Sequence, residues 1–203
     1  MKILAINGSH RAGKGTAALI EAALEEARAK GCETELIELS KCNIEYCIGC
    51  NRCLGKPECT VQDDMQMLYE KMKEADGIIL ASPNYFANVS ARMKCFMDRT
   101  RPLHMTANAL KGKVGGLIAT TGLSNCGGEE SVAALQRWFT IHEMLLVSPR
   151  PEGEVRGNAP LGTMFKGYID GRVKWQRIED DEIAFLFARQ LGSDMADLIA
   201  KLA

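Results

Sequence analysis

Short apolar segments that alternate with polar loops and helical patterns limit this chain to a small set of folds. Four of these segments are continuous apolar runs, which predict strands that are buried on both faces of a sheet. Another segment, 34–39, alternates imperfectly and is rich in glutamate, as is typical of an outer strand. Strands and helices alternate throughout, so the sequence predicts a parallel sheet with right-handed crossover connections. The apolar runs are 3–6, 77–81, 114–119 and 144–147.

Composition indicates one globular domain and excludes several classes of protein. The chain has 203 residues, of which 46% are hydrophobic and 25% charged, as is ordinary for a domain with a full core. A net charge of -1 gives no support for binding to nucleic acid or to anionic membranes. No apolar run is long enough to span a bilayer, and the amino terminus runs directly into a strand pattern. We expect a soluble, cytoplasmic protein with reduced thiols.

The loop after the first strand nearly matches the phosphate-binding motif G-x-x-x-x-G-K-[ST]. Gly8, Gly13 and Lys14 fit this motif, but Gly15 stands where the motif has its hydroxyl residue. The hydroxyl of Thr16 comes one residue late, and in that motif the hydroxyl must reach magnesium beside the lysine. The dinucleotide fingerprint G-x-G-x-x-G is absent as well. An ordinary strand-to-helix turn is the structural alternative.

Hydrogen-bond donors in the same loop suit a single phosphate monoester, such as that of FMN. Ser9, Thr16 and the backbone amides are uncharged donors, while Arg11 and Lys14 supply positive charge nearby. A helix is predicted directly after the loop, and the positive end of its dipole attracts an anion.

Two further polar loops follow central strands, at the positions where open α/β sheets bind their ligands. The first is 82–90, which contains the adjacent aromatic residues Tyr85 and Phe86. These rings either contact a ligand or pack the loop against the protein. The second is 120–128, which joins the fourth strand to the next helix.

Four cysteines lie within one short segment, with the spacing C-x2-C-x2-C-x5-C. Glycines between them allow a tight loop to turn several sulfurs toward one point, as an iron–sulfur cube requires. The last gap is longer than in the ferredoxin spacing C-x2-C-x2-C-x3-C. Zinc bound by four thiolates and reduced, unliganded thiols are the alternatives. The four residues are Cys47, Cys50, Cys53 and Cys59.

The last quarter of the chain begins with a long, glycine-rich segment, 151–179. A loop of this length in a compact domain usually has a function or forms an assembly contact. Its aromatic residues, among them Tyr168 and Trp175, argue against disorder. We therefore expect one domain, 1–203, that carries a cysteine-rich loop at 42–62 and this long loop.

Together these motifs resemble the iron–sulfur flavoproteins, a branch of the flavodoxin-like NAD(P)H-dependent FMN reductases. The resemblance rests on the loop 8–16, the four cysteines and the segment 75–99, and it spans roughly residues 1–150. It implies a flavodoxin-like α/β fold, an open five-stranded parallel sheet in the order 2-1-3-4-5 with helices on both faces.

The resemblance also implies the roles of particular residues. In this family the first loop holds the FMN phosphate, and the second and third loops flank the isoalloxazine ring. The four cysteines bind one [4Fe-4S] cluster in the iron–sulfur branch, and no catalytic acid–base pair is expected. The residues assigned to FMN in this way are Ser9, Arg11, Gly15, Thr16, Pro83, Asn84, Tyr85, Phe86, Thr120, Thr121, Gly122, Gly127 and Gly128.

The function implied is that of an FMN-dependent oxidoreductase that passes electrons between FMN and the cluster. Its electron partner would be ferredoxin, NAD(P)H or a small oxidant, and members of the family form homodimers or homotetramers. A cluster-free NAD(P)H-dependent FMN or quinone reductase is the first alternative. A nucleotide-binding protein with a zinc site is the alternative from another class.

Overall fold

The computed structural model describes residues 1–106, 108–153 and 159–203. Its strands are β1 (Lys2–Asn7), β2 (Glu33–Glu38), β3 (Gly77–Pro83), β4 (Val114–Thr121), β5 (Leu145–Leu146), β6 (Leu161–Thr163), β7 (Phe165–Ile169) and β8 (Arg172–Trp175). Its helices are α1 (Gly15–Ala29), α2 (Met65–Glu74), α3 (Ala91–Arg99), α4 (Arg101–Met105), α5 (Gly128–Ile141) and α6 (Glu182–Leu202). Short 3-10 turns cover Leu39–Lys41, Arg52–Leu54 and Ile178–Asp180.

The first five strands form a parallel sheet in the order β2-β1-β3-β4-β5, which confirms the predicted fold class and strand order. Near the ends of the central strands, Asn7 pairs with Ala81 and Pro83 pairs with Thr120. The carboxyl ends of β1, β3 and β4 therefore meet at one edge of the sheet. The polar loops that follow these strands lie side by side.

The edge of the sheet beyond β4 differs from the prediction, because two short strands share it. β5 pairs with residues 114–115 of β4, whereas β6 pairs in parallel with residues 119–121. The strand predicted at 144–147 is shorter and covers Leu145–Leu146, although the Val147 amide still donates to the Gly115 carbonyl at 2.8 Å. Pro149 and Pro151 follow it, and proline has no N–H with which to extend a strand ladder. β6 is thus a sixth strand that the sequence did not indicate.

Each face of the sheet buries its own apolar core. Side chains alternate along β1, so Leu4 and Ile6 face one core while Ile3 and Ala5 face the other. The first core includes residues of α2, α3 and α5, and the second includes residues of α1 and α6. The central strands are buried on both faces, as their continuous apolar runs predicted. Within the described ranges, no helix combines the length and the apolar character needed to cross a bilayer.

Two glycines allow the carboxyl-terminal part of the chain to approach α1 closely. A Cβ atom on Gly192 would collide with the backbone of Ala23, so α6 can cross α1 here only with glycine. A Cβ atom on Gly15 would lie 2.6 Å from the Cβ of Ile178. The second contact places the 3-10 turn at Ile178 beside the loop that precedes α1.

The segment 151–179 contains more secondary structure than the long loop that the sequence predicts. Its described part forms β6, the antiparallel hairpin of β7 and β8, and a 3-10 turn, while 154–158 lie outside the described residues. The hairpin turn contains Asp170 and Gly171, whose φ angles of 51° and 73° suit a two-residue turn. The hairpin is open to solvent, and Tyr168 is 70% exposed.

Candidate functional site

A cavity of about 220 Å³ lies where the loops after β1, β3 and β4 meet. Open α/β sheets bind their ligands at this edge, next to the point where the strand order reverses. The charged side chains that line the cavity are both cationic, Arg11 and Lys14. The lining consists of Ser9, Arg11, Lys14, Gly15, Thr16, Pro83, Asn84, Tyr85, Thr120, Thr121, Gly122, Met164 and Ile178.

Hydrogen bonds from the first two strands hold the loop after β1 in place. Asn7 Nδ2 donates to Glu38 Oε2 at 2.7 Å, and the Gly13 amide donates to Glu38 Oε1 at 2.9 Å. Asn7 Oδ1 also accepts a hydrogen bond from the Ser9 amide at 2.9 Å. The loop is therefore shaped by the protein itself, which lowers the ordering cost of binding a ligand there.

The amino terminus of α1 has the properties of an anion-binding site. Within the described residues, no side chain caps this terminus at Lys14 and its first turn contains no acid. Its first N–H groups therefore have no partner within the helix. Arg11 lies on the same loop, where its amide donates to Ser9 Oγ at 3.1 Å. Thr16 Oγ1 lies 2.9 Å from Thr120 Oγ1, so hydroxyls from α1 and β4 meet at this end of the cavity.

Asn84 connects the loops after β3 and β4. Its Nδ2 atom donates to the Cys126 carbonyl at 2.7 Å and to Thr121 Oγ1 at 3.3 Å. Its Oδ1 atom accepts from Ser131 Oγ at 3.2 Å. Both loops are thereby fixed relative to each other, and Tyr85, which follows Asn84, lines the cavity while staying 44% exposed.

The structure brings together at this cavity all but three of the residues that the sequence assigns to FMN. Phe86 is fully exposed and does not line the cavity. Gly127 packs against the backbone of Ala87, where a Cβ atom would collide, and Gly128 begins α5. Met164 and Ile178 line the cavity but were missed, because both lie in the segment 151–179 and neither belongs to a recognisable motif.

The four cysteines line a second cavity, which lies between the cysteine-rich loop and the helices α3 and α4. Asn51 and Gly49 have φ angles of 57° and 65°, which turn the loop back on itself. The cavity is also lined by the guanidinium-bearing residues Arg52, Arg99 and Arg101 and by the acids Glu58 and Asp98. The hydroxyl of Thr60, 3.4 Å from the sulfur of Cys50, lowers the pKa of that thiol.

The donor set of this second cavity fits an iron–sulfur cluster, whereas its present size does not. Thiolates are the usual ligands of such clusters, and cationic side chains nearby offset their negative charge. However, the cavity is about 20 Å³, which is close to the space of a single water molecule. Among the described residues, no three His, Cys, Asp or Glu side chains are arranged to hold a metal ion. The loop would have to open for a cluster to bind.

Arg99 ties the two ends of the cysteine-rich loop to the protein core. Its Nη1 atom donates to the Glu45 carbonyl and to Asp63 Oδ2, both at 2.6 Å. Its Nη2 atom donates to the Val61 carbonyl at 3.2 Å and to Asp63 Oδ1 at 3.0 Å. Both side chains are buried, with exposures of 1% for Arg99 and 2% for Asp63. Burial alone would raise the pKa of Asp63, but the hydrogen bonds from Arg99, Glu45 and Met65 outweigh it and lower this pKa.

A third cavity, of about 210 Å³, lies between the first loop and the start of the cysteine-rich loop. His10 and Tyr46, which come from these two loops, both line it. Arg92 Nε donates to His10 Nδ1 at 3.0 Å, and the rings of His10 and Tyr85 lie 5.5 Å apart. The third cavity therefore lies next to Tyr85 of the cavity at the carboxyl edge, and Tyr46 is the residue that precedes Cys47 in the chain.

The strand order and the cavity at the carboxyl edge define a flavodoxin-like α/β protein. A family model described as NADPH-dependent FMN reductase matches residues 1–151. The chain belongs to this family, within the branch of the iron–sulfur flavoproteins, and it is an FMN-dependent oxidoreductase. This confirms the resemblance that the sequence motifs indicate.

Individual relatives support the same assignment. The chain is 38% identical over 199 residues to an iron–sulfur flavoprotein of Methanocaldococcus jannaschii, covering 98% of this chain and 97% of the relative. It is 36% identical over 198 residues to an iron–sulfur flavoprotein of Archaeoglobus fulgidus, covering 98% and 95%. Its fold is similar to the crystal structure of a flavodoxin, WrbA-like protein from Agrobacterium tumefaciens, with a TM-score of 0.64, 16% identity and coverage of 98% and 97%.

We predict that Asp63→Asn lowers the free energy of unfolding by about 3–5 kcal/mol at neutral pH, because the buried Arg99 guanidinium loses its carboxylate. The pKa of Asp63 is lowered on folding, so its contribution is complete above the unfolded value of about 3.9 and is lost as the pH falls through the folded value. The difference between wild type and variant should therefore shrink below about pH 4, as measured by urea unfolding at several pH values.

Asp98→Asn is the matched control for this prediction. Asp98 pairs with Lys94 at the surface, with about half of each side chain exposed, so its loss should cost less than about 1 kcal/mol. A cost at Asp63 as small as that at Asp98, or one that does not change with pH, would contradict the stabilising role of the buried pair.

Proposed function

We propose that this protein binds FMN at the carboxyl edge of the sheet and passes electrons between FMN and a [4Fe-4S] cluster held by the four cysteines. The observation that carries this proposal is the position of Cys47, Cys50, Cys53 and Cys59, which all line one cavity beside guanidinium groups. A third cavity is lined by His10 of the loop after β1 and by Tyr46, the residue before Cys47. The names of the relatives, iron–sulfur flavoproteins, support the same proposal.

For FMN, we assign the phosphate to the loop after β1 and the start of α1. Ser9, Arg11, Gly15 and Thr16 line this end of the cavity. The loops after β3 and β4 then flank the ring. This second group consists of Pro83, Asn84, Tyr85, Phe86, Thr120, Thr121, Gly122, Gly127 and Gly128, of which Phe86 is exposed and free to cover a bound ring.

When bound, FMN accepts a two-electron hydride and releases single electrons, while the cluster carries one electron at a time. The protein's part is to hold both groups and to limit the access of water. No histidine is needed as an acid or base. Burial lowers the pKa of His142 to about 4, and its Nε2 atom lies 3.0 Å from Thr100 Oγ1, as suits a structural residue. The electron partner that we propose is ferredoxin, NAD(P)H or a small oxidant in the cytoplasm.

A cluster-free NAD(P)H-dependent FMN or quinone reductase is the second candidate function. The small size of the cysteine cavity favours it, as does the absence of a metal-ligating arrangement among the described residues. Membership in the FMN reductase family argues against the remaining alternative, a nucleotide-binding protein with a zinc site. A visible spectrum recorded without oxygen distinguishes these functions, because a cluster adds a broad brown shoulder to the flavin bands.

We predict that Thr16→Ala and Ser9→Ala each weaken FMN binding by about 1–3 kcal/mol, since the charged phosphate loses one hydrogen-bond donor. Fluorescence titration of the flavin-free protein with FMN measures the dissociation constants. Thr140→Ala is the control, because Thr140 is an exposed residue of α5 whose hydroxyl donates to the Gln136 carbonyl, one turn earlier in the helix. Unchanged dissociation constants in both loop variants would argue against this phosphate site.

We predict that replacing any of the four cavity cysteines by alanine removes or converts the cluster, because a cube needs all four corners held. Iron and acid-labile sulfide per chain are measured on protein prepared without oxygen, since oxidised cysteines release metal. Cys42→Ala and Cys126→Ala serve as controls, because neither residue lines the cysteine cavity. Almost no sulfide in the wild type would favour the cluster-free reductase.

We also propose that the exposed hairpin of β7 and β8 forms a contact between subunits of a homodimer or homotetramer. It exposes the large apolar side chains of Tyr168, Ile169 and Trp175, which water solvates poorly. Tyr168→Ser combined with Trp175→Ser should lower the molar mass measured by light scattering. Ile141→Ser is the control, because Ile141 is equally apolar and 60% exposed but lies on α5. Full assembly of the hairpin variant would refute this contact.

A further inference from the structure

Arg99 has one hydrogen-bond donor that the protein itself does not use. Of its five N–H groups, the four on Nη1 and Nη2 match the four bonds to Asp63, Glu45 and Val61. The Nε atom is buried and has no hydrogen-bond partner in the part of the chain that the structure describes. A buried N–H without a partner is unfavourable, and it calls for an explanation such as strain, a functional role, or a water or ion that it contacts.

The place of this unused donor is informative, because Arg99 lines the cavity that the four cysteines share. The carboxylate of Asp63 binds the outer edge of the guanidinium, made by Nη1 and Nη2. The Nε edge is the part of the guanidinium that has no partner among the described residues. Arginine suits this position better than lysine, since its planar group can bind a carboxylate on one edge and keep a donor on another.

We propose that Arg99 is a positioning residue for the anionic group that the four thiols bind, which it holds with the Nε–H donor and with its buried positive charge. This rests on the proposed function, in which that group is an iron–sulfur cluster. Arg99 also fastens Glu45 and Val61, the residues just outside the two ends of the cysteine run, so the loop can open for the cluster without leaving the protein.

Charge and burial together predict an effect on the reduction potential. A cluster with four thiolates carries net negative charge, and reduction adds one more electron. A cation in a buried site is screened little by water, so it favours the reduced state and raises the potential. Asp63 offsets part of this charge, but it binds the Nη1–Nη2 edge of the guanidinium and leaves Nε without a partner among the described residues. Arg101 also lines the cavity, yet it is partly exposed and should act more weakly.

The test compares the reduction potentials of cluster and FMN in the complete protein, prepared without oxygen and titrated with a dye-mediated spectroscopic method. The variant combines Arg99→Gln with Asp63→Asn and is called the paired variant below. It removes both buried charges but keeps hydrogen-bonding side chains at both positions. We expect its cluster potential to become more negative while the FMN potential stays the same. Arg101→Gln is the matched control, for which the shift should be smaller.

A second measurement separates the anchoring of the cysteine-rich loop by Arg99, called the tether below, from the effect of the positive charge of Arg99. Hydrogen exchange of the segment 43–62 in the metal-free protein should become at least about tenfold faster in the paired variant, because the loop loses its anchor. Arg99→Lys keeps the charge but cannot reach four acceptors, so it should speed this exchange while keeping the cluster potential near that of the wild type. Amides of β1 and β4 provide the internal reference for global stability.

The outcomes distinguish this proposal from the proposed function. Iron-free wild-type protein would refute the cluster and, with it, the role of Arg99 toward a cluster. An iron-loaded paired variant with the wild-type potential would overturn the role of Arg99 alone. Unchanged hydrogen exchange of 43–62 in the paired variant would overturn the tether. A more negative cluster potential together with faster exchange of the loop would establish both parts.

Discussion

Because β1, β3 and β4 are buried on both faces of the sheet, the polar side chains of a functional site have to lie in the loops at the ends of these strands. Since these strands run parallel, their polar loops all emerge at one edge, and the protein has to fasten them there. The Gly8 amide donates to the Ala81 carbonyl at 2.8 Å, and Ser90 Oγ donates to the Gly8 carbonyl at 2.6 Å. The loops after β1 and β3 are thereby joined directly. The FMN-suited cavity follows from this arrangement and needs no separate scaffold.

Most of the fold and of this cavity could be predicted, because both depend on patterns in the local sequence. Continuous apolar runs identify the central strands, and the donors after β1 indicate the loop that lines the cavity at the carboxyl edge. The structure of the segment 151–179 could not be predicted from local patterns in this way. The pair Asp170 and Gly171 was an available signal for a hairpin, but β6 is only three residues long and depends on pairing with β4. Met164 and Ile178 reach the cavity through that pairing, which local sequence does not reveal.

The support of the cysteine-rich loop was not predictable from sequence for a related reason. In the sequence, Asp63 is an acid at the start of α2, where a negative charge stabilises the helix dipole. Its Oδ1 atom does accept a hydrogen bond from the Met65 amide at 3.0 Å. However, its main partner is Arg99, which is 36 positions away and gives no signal in a helical pattern. Cysteine spacing therefore reveals the candidate ligands, whereas the charge that fixes their loop becomes visible only when the chain has folded.

Helix α3 connects the two candidate sites. Ser90 caps its amino terminus by accepting from the Met93 amide at 3.1 Å, and the same hydroxyl bonds the first loop. Arg92, in its first turn, donates to His10 on that loop, while Arg99, at its end, fastens the cysteine-rich loop. A nine-residue helix is stiff, so it sets the spacing between the two sites more firmly than either loop does. The cysteine-rich loop and the cavity at the carboxyl edge each have their own attachment to α3, through Arg99 and through Ser90 and Arg92.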